Sequence, residues 1–272
     1  MSEIKKRILF VNSEIYPYLP ETPISKIGRF LPQGIQEHKR EIRSFMPRYG
    51  CINERKNQLH EVIRLSGMNI IISDVDRPLI IKVASISPAR MQVYFIDNED
   101  YFKRKYLFSD ESGTFFPDND ERAIFFARGV LETVKKLRWA PDIIHCQGWI
   151  SHLVPVYLKR EYKDDPIFSS SKVVLSLYDD MPANNFASGF AEKACFGQVT
   201  PEDISQLTEA NGINLARTAV QYSDGIILGA EHTDSDVVNY AQQRGLPILP
   251  FSQEALENGT YIDDYCNFYD TL

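Results

Sequence analysis

The spacing of hydrophobic positions changes along the chain, and each spacing predicts a different kind of element. Residues 8–11 (Ile-Leu-Phe-Val) form a short continuous apolar run, which is typical of a strand buried on both faces. From residue 62 to residue 96 apolar and polar positions alternate, which predicts antiparallel strands joined by turns. The predicted strands are 68–73, 79–84 and 91–96, with turns at 76–78 (Asp-Arg-Pro) and 87–88 (Ser-Pro).

Helical spacing begins after the first loop. Thr22 is suited to cap a helix whose first residue is Pro23, and apolar residues follow at helical intervals as far as Ile35. Pro32 interrupts this segment and is expected to kink it. Beyond residue 96 the pattern alternates between helices and strands. One helix is predicted directly after the acidic residues 118–120, and further helices at 149–159, 213–222 and 234–244. The predicted strands of this region are 143–146, 172–177 and 225–228.

Repeated β-α-β spacing implies a parallel sheet with right-handed crossovers and helices on both faces. No Gly/Ser-rich linker divides the chain. The sequence therefore predicts an α/β fold, a single doubly wound Rossmann-like domain, with an antiparallel β excursion near residues 60–96.

Composition narrows the classes of function. The 272 residues carry a formal net charge of −7, which argues against a nucleic-acid partner. No apolar stretch reaches the ~18 residues of a membrane helix, so no membrane association is predicted. The four cysteines are scattered, which favours a reducing cytoplasm over a disulfide framework. The histidines and cysteines have no metal-ligand spacing, and no nucleotide-binding or cofactor-binding motif occurs in the loops after the predicted strands. Neither a metal nor a cofactor is therefore predicted.

Ligands of open α/β sheets bind beyond the carboxyl ends of the strands, and three such places carry polar residues. The loop before Pro23 lacks the glycines and the lysine that a phosphate site would use, which favours an ordinary capped helix start. His145, at the end of one strand, and Trp149, at the start of the next helix, are suited either to binding a sugar or to packing in the core. Asp179 and Asp180 follow another strand and are suited to binding a metal or sugar hydroxyls, or to forming a solvated turn, which is the more common role of such a pair.

Six segments of the chain carry recognisable motifs. They are 8–14 (Ile-Leu-Phe-Val-Asn-Ser-Glu), 46–50 (Met-Pro-Arg-Tyr-Gly), 94–98 (Tyr-Phe-Ile-Asp-Asn), 116–122 (Phe-Pro-Asp-Asn-Asp-Glu-Arg), 141–145 (Pro-Asp-Ile-Ile-His) and 153–159 (Leu-Val-Pro-Val-Tyr-Leu-Lys). Together these motifs resemble the bacterial glycogen synthases and plant starch synthases. The resemblance spans roughly residues 7–240 and is most specific between residues 94 and 159.

Those enzymes are retaining GT-B transferases with two Rossmann-like domains, and they move glucose from ADP-glucose or UDP-glucose to an α-1,4-glucan. The resemblance implies that residues 1–249 correspond to the amino-terminal, acceptor-side domain, one half of that fold. We expect the carboxy-terminal domain, which carries most nucleotide-sugar contacts, to have no counterpart here. Residues 250–272 are expected to form a tail that packs on the domain, since its aromatic residues have near-helical spacing.

The departures from the family fall on its functional positions. The family's Lys-Thr-Gly-Gly-Leu loop, whose lysine and glycines meet the donor's phosphates, aligns with residues 20–24 (Pro-Glu-Thr-Pro-Ile). Its His-Asp-Trp-His segment aligns with residues 147–150 (Gln-Gly-Trp-Ile), and its Ile-His-Asn with 177–179 (Leu-Tyr-Asp). No catalytic residue is predicted. The candidate ligand-cleft residues are His145, Gln147, Trp149, Tyr178, Asp179 and Arg217, the last at the place of a family lysine.

Two functional hypotheses follow. The first is a pseudoenzyme of carbohydrate metabolism, a glycogen/starch-synthase-like domain that is not a standalone glucosyltransferase and that binds a ligand or acts as a scaffold. The alternative is the acceptor-side subunit of a split glucosyltransferase that moves glucose from ADP-glucose to an α-1,4-glucan. The expected partners are an α-glucan or nucleotide-sugar, and a protein that supplies a second domain.

Overall fold

The computed structural model describes residues 6–272, and its elements alternate as the sequence predicts. The strands are β1 (Arg7–Asn12), β2 (Glu41–Pro47), β3 (His60–Glu61), β4 (Met68–Ile72), β5 (Val75–Ile86), β6 (Met91–Asp97), β7 (Ile143–Gln147), β8 (Lys172–Leu177), β9 (Gly225–Leu228) and β10 (Ile248–Leu249). The helices are α1 (Pro23–Glu37), α2 (Glu99–Phe102), α3 (Asn119–Leu137), α4 (Val154–Arg160), α5 (Phe190–Ala194), α6 (Gly212–Gln221), α7 (Ser235–Gln243), α8 (Gln253–Asn258) and α9 (Tyr261–Asp270).

One sheet organises the domain, in the order β10-β9-β8-β7-β1-β2-β6-β5-β3, with β4 paired to β5. Strands β1, β2 and β6–β10 are parallel, whereas β5 runs antiparallel to β6 and to both β3 and β4. From β1 the chain first adds β2 and the strands beyond it on one side of the sheet. It then returns to add β7, β8, β9 and β10 on the other side of β1, so the strand order reverses between β1 and β7. This architecture confirms the predicted α/β, Rossmann-like fold and its antiparallel excursion.

The first helix begins where the sequence predicts. Thr22 caps α1, and its side chain and that of Ser25 exchange hydrogen bonds with each other's backbone N–H groups. Helix α1 continues without interruption through Pro32.

One predicted turn is wrong. Residues 76–78 lie inside β5, and the hairpin between β4 and β5 turns instead at Ser73 and Asp74. Both turn residues have positive φ (50° and 61°), the geometry that closes a two-residue hairpin. Short polar side chains tolerate this conformation, so Ser73 and Asp74 form the turn in place of the Asp-Arg-Pro segment.

Each face of the central strands is covered by a different set of helices. Ile8, Phe10 and Val174 belong to a core shared with α1 and α9. The alternate residues, such as Leu9 and Cys146, belong to a larger core shared with α3, α4 and α6. His145 and Cys146 therefore face opposite sides of the sheet, as strand alternation predicts.

Helices α8 and α9 complete the core on the α1 side. Tyr261, Tyr265, Phe268 and Tyr269 of α9 are buried there. These rings share one core with α1. The division of the chain into a domain (1–249) and a tail (250–272) stays a prediction. None of the helices in the described part of the chain has the length and apolar character needed to cross a bilayer.

Candidate functional site

The reversal of strand order between β1 and β7 marks the place where ligands of such sheets bind. The loop after β1 begins with Ser13 and Glu14, and the loop after β7 begins with Gly148 and Trp149. Asp180, in the loop after β8, reaches over the β7 loop and accepts a hydrogen bond (2.8 Å) from the Trp149 N–H. We call these five residues the switch-point crevice.

The crevice is tightly closed at Gly148. The Ser13 N–H donates to the carbonyl of Gln147 at 2.8 Å, which brings the β1 loop against the β7 loop. Gly148 has φ 84° and ψ 149°, a backbone region that essentially only glycine occupies. A Cβ added there would overlap Ser13 Oγ, lie 2.6 Å from Ser13 Cβ and lie 3.2 Å from an Asp180 carboxylate oxygen.

Two carboxyl groups give the crevice its electrostatic character. The carboxyl oxygen Oδ1 of Asp180 is buried and has no hydrogen-bond partner, and burial raises the pKa of this carboxyl to about 6. Burial likewise raises the pKa of Glu14, although a hydrogen bond from the Thr22 hydroxyl (2.7 Å) opposes the shift. Within residues 6–272 neither carboxylate forms an ion pair. The crevice is therefore acidic.

The start of α1 is not built to hold a phosphate. Helix N-termini bind anions through free N–H groups, but Pro23 has none and the N–H of Ser25 is bonded to the Thr22 hydroxyl. The nearest lysine, Lys26, forms an ion pair with Glu21. With Glu14 bonded to the Thr22 hydroxyl, this helix start repels an anion.

His145 is fully buried, on the sheet face that α1 and α9 cover. Its Nδ1 is 2.7 Å from the hydroxyl of Tyr269 in α9, and its Nε2 is 2.7 Å from the hydroxyl of Ser176 in β8. Burial lowers the pKa of His145 to about 3, so the ring is neutral and one nitrogen donates while the other accepts. In this arrangement His145 joins α9 to two strands.

Trp149 is also a core residue, with 2% of its surface exposed. Its ring centroid lies 4.7 Å from that of Phe108 and 5.5 Å from that of Phe186, with Phe115 at 6.2 Å. These contacts fix the loop that carries the N–H donated to Asp180, so Trp149 shapes the crevice through its backbone.

The remaining predicted cleft residues lie in three different places. Gln147 is buried beside Tyr178, whose hydroxyl lies 3.4 Å from its side-chain carbonyl. Asp179 is exposed and lines a surface groove of about 570 Å³ together with Asn211 and His232. Arg217 lies over the ring of Tyr240, between α6 and α7. Of the predicted cleft residues, Trp149 belongs to the crevice and Gln147 adjoins it, since the Gln147 carbonyl accepts the Ser13 N–H. Tyr178 contacts Gln147, whereas Arg217 packs between α6 and α7.

The predicted cleft residues include neither of the two carboxyl groups of the crevice. The sequence pointed to Asp179 and Asp180 together as acids at a strand end, but only Asp179 was placed in the cleft, whereas Asp180 is the one that turns inward. Glu14 was considered only as part of a matching segment. Both residues follow within three positions of a strand's carboxyl end, a signal that selects them once strands β1 and β8 are known to flank β7. Among the described residues no group of three metal-binding side chains is close enough to hold an ion.

We expect Asp180→Asn to raise the free energy of unfolding at pH 7.5 by about 1–2 kcal/mol. The pKa of this carboxyl is higher in the folded protein than in the unfolded chain, so the ionised form destabilises the folded state above pH 6. The gain should shrink as the pH falls from 6 towards 4, and urea unfolding across that range measures it. The control is Asp179→Asn, at an exposed neighbour that makes no buried contact, and it should change stability little. An equal gain for Asp180→Asn at pH 4 and pH 7.5 would contradict the assignment.

A doubly wound sheet with its crevice between β1 and β7 is the architecture of one Rossmann-like half of a GT-B glycosyltransferase. The family model described as "Starch synthase catalytic domain" matches residues 7–247. The chain therefore belongs to the starch synthase catalytic domain family, as the resemblance predicted.

Related proteins agree with this assignment. A glycogen synthase of Chlorobium luteolum is 36% identical over 263 residues, covering 95% of this chain and 53% of that protein. A glycogen synthase of Chlorobaculum tepidum is 37% identical over 221 residues, covering 80% of this chain and 44% of that protein.

A solved structure shares the fold. The catalytic domain of starch synthase IV from Arabidopsis thaliana, bound to ADP and acarbose, superposes with a TM-score of 0.71 at 13% identity, covering 91% of this chain and 51% of that one. The chain thus spans about half the length of the relatives it matches.

Proposed function

We propose that this chain is a glycogen/starch-synthase-like domain of the cytoplasm that binds α-glucan and does not transfer glucose by itself. It retains the scaffold of the family, and its crevice presents carboxyl groups where a nucleotide-sugar would need cations. The free state of all four cysteines supports a reducing compartment.

The observation that carries the proposal is the start of α1. The resemblance puts the family's phosphate-binding lysine and glycines at residues 20–24, and here that segment supplies Pro23, the Thr22–Ser25 cap and the Glu14 carboxylate next to it. Each lost donor or cation at a developing charge typically costs ~10²–10³ in rate. Carboxylates, in contrast, accept hydrogen bonds from the hydroxyl groups of a neutral sugar.

The test is an elongation assay beside a binding assay. The purified chain is incubated with ADP-[¹⁴C]glucose and glycogen, and we expect incorporation no greater than in a protein-free blank. In native gels cast with glycogen the chain should migrate more slowly than in gels without it. Glucan elongation above the blank would refute the absence of transfer, and equal migration in the two gels would refute glucan binding.

A variant of the start of α1 tests whether the missing cation and backbone N–H are the reason that phosphate is not bound. Pro20→Lys combined with Pro23→Gly returns a cation and a backbone N–H to a solvent-exposed segment. We expect this variant to bind ADP more tightly than the wild-type chain, measured by calorimetry. Pro201→Lys combined with Pro247→Gly adds the same groups at exposed prolines elsewhere and should leave ADP binding unchanged.

A second candidate is the acceptor-side subunit of a split glucosyltransferase. The aligned region is about half of each relative, the share that one half of a two-domain GT-B transferase would cover. This candidate predicts glucan elongation when the chain is mixed with a separately expressed carboxy-terminal half of the Chlorobium luteolum protein. No elongation in that mixture, with the intact Chlorobium enzyme active alongside, would count against it.

A further inference from the structure

A surface groove of about 570 Å³ lies between the tip of the β4–β5 hairpin and α5. Ile71 and Asp74 contribute to its hairpin wall, and Glu192 contributes to its α5 wall. The Arg128 guanidinium connects the two walls, because it donates to the Ile71 carbonyl and lies 3.8 Å over the ring of Phe196. We call this the β4–α5 groove. Its lining includes none of the three segments that align with the family's ligand motifs.

Strand β4 presents a free edge beside this groove. In the part of the chain that the structure describes, β4 pairs with β5 alone. The residues that flank the two-residue turn form a hydrogen-bonded pair, and such pairs alternate along an antiparallel ladder, so Asn69 and Ile71 direct their backbone groups away from β5. Pro78, opposite Asn69, has no N–H to donate, which fits a position without ladder bonds. The Ile71 carbonyl accepts from Arg128, and the Ile71 N–H and both backbone groups of Asn69 are left for a partner.

The edge lacks the usual protection against pairing. Exposed edge strands are normally blocked by charged residues or proline, but β4 (Met-Asn-Ile-Ile-Ile) contains neither. The three most exposed large hydrophobic side chains of residues 6–272 also belong to this hairpin region: Ile63 is 76% exposed, Ile71 54% and Val75 45%. An unblocked edge with exposed apolar residues near it is typical of an interaction surface.

The charged residues of the groove determine the charge of the partner. Asp74 and Glu192 are exposed on opposite walls, and neither forms an ion pair within residues 6–272. Arg128 is engaged by the Ile71 carbonyl and the Phe196 ring, and Lys193 forms ion pairs with two acidic residues of α3. The uncompensated charge of the groove is therefore negative, which attracts lysine and arginine side chains and repels carboxylates.

We propose that the β4–α5 groove binds an extended, basic peptide segment of another protein, which adds a strand to the free edge of β4. The segment's backbone pairs with Asn69 and Ile71, and its lysine or arginine side chains lie near Asp74 and Glu192. Main-chain hydrogen bonds supply affinity in this mode, and charge selects the partner. A second copy of the chain fits less well, because it would bring its own acidic turn and a net charge of −7 to this edge.

The experiment titrates the full chain with acetyl-Lys-Val-Lys-Val-Lys-amide, which has the five-residue length of β4. We expect the double variant Asp74→Asn, Glu192→Gln to raise the Kd about tenfold, measured by calorimetry at low salt. Asparagine tolerates the positive φ of residue 74, so the fold is retained. The matched control is Asp236→Asn, Glu254→Gln, at exposed acids outside the groove, and it should leave the Kd within twofold.

A second pair of variants tests strand addition itself. Asn69→Pro removes an outward N–H that bonds nothing in β5, and proline is tolerated on an edge strand, so the protein should fold and the Kd should rise about fivefold. Asn69→Ala keeps the N–H and should bind like the wild-type chain. The fully N-methylated form of the peptide keeps its charge and loses its N–H groups, and it should bind more weakly. The melting temperature of each variant verifies its folding.

Each contrary result overturns a stated part of the proposal. If the wild-type chain does not bind the peptide, or if the groove double variant binds it as tightly as the control double variant, the β4–α5 groove is not its site. If N-methylation and Asn69→Pro leave the Kd unchanged, attachment is electrostatic and strand addition is wrong. A wild-type dimer in analytical ultracentrifugation that Asn69→Pro abolishes would assign the edge to a second copy and overturn the peptide.

Discussion

Deletion of residues 251–272 is expected to unfold the protein or cause it to aggregate. The deletion removes the four buried rings of α9, Tyr261, Tyr265, Phe268 and Tyr269, and exposes the sheet face beneath them. Full burial of such a side chain contributes roughly 1.5–3 kcal/mol, so the four together match a typical total stability of about 5–15 kcal/mol. The melting temperature and size-exclusion profile of the shortened chain measure the effect.

A smaller change probes the same contact. Tyr269→Phe keeps the ring and removes the hydroxyl that meets His145 Nδ1, which leaves a buried nitrogen without a partner. We expect a loss of about 1–3 kcal/mol. Tyr261→Phe removes a hydroxyl for which the described chain provides no hydrogen bond, and it should cost much less. A shortened chain that melts unchanged and stays monodisperse would show that α9 is not part of the folding core.

Gly148→Ala is expected to destabilise the protein by about 2–4 kcal/mol, because two costs add at this position. The first is a backbone conformation that an alanine rarely adopts, and the second is overlap of the new Cβ with the Ser13 side chain. Relief of the overlap must move the β1 loop away from the β7 loop, which also disturbs the hydrogen bond from Trp149 N–H to Asp180. Urea unfolding gives the change in stability.

Gly113→Ala is the control for Gly148→Ala. Gly113 also has φ 84°, but an added Cβ there meets nothing within 4 Å. We expect a cost of about 1 kcal/mol from the backbone alone. If the two substitutions cost the same, the close approach of Ser13 to Gly148 does not constrain the crevice.

The sequence by itself determined the elements and their order. Strands β8 and β9 occupy the predicted residues, since each is a short apolar run whose burial on both faces requires that composition. The starts of α1 and α7 were predictable because Thr22 and Asp234 cap their helices through contacts only two or three residues away. The family resemblance likewise depended on local motifs, and the family model confirms it.

Only the tertiary structure decided what the polar residues at the strand ends do. His145 is joined to Tyr269, 124 residues away, and Asp180 to Trp149, 31 residues away. Local periodicity places a side chain on a face of its strand, but it contains no information about which distant segment will cover that face. The sequence around His145 fits either an open ligand cleft or a buried core position. His145 is buried in the core because α9 packs over it. Asp179 and Asp180 are neighbours in one loop, yet Asp179 is exposed whereas Asp180 accepts a hydrogen bond from the Trp149 N–H. The contacts of the Trp149 ring with Phe108 and Phe186 hold that donor in place.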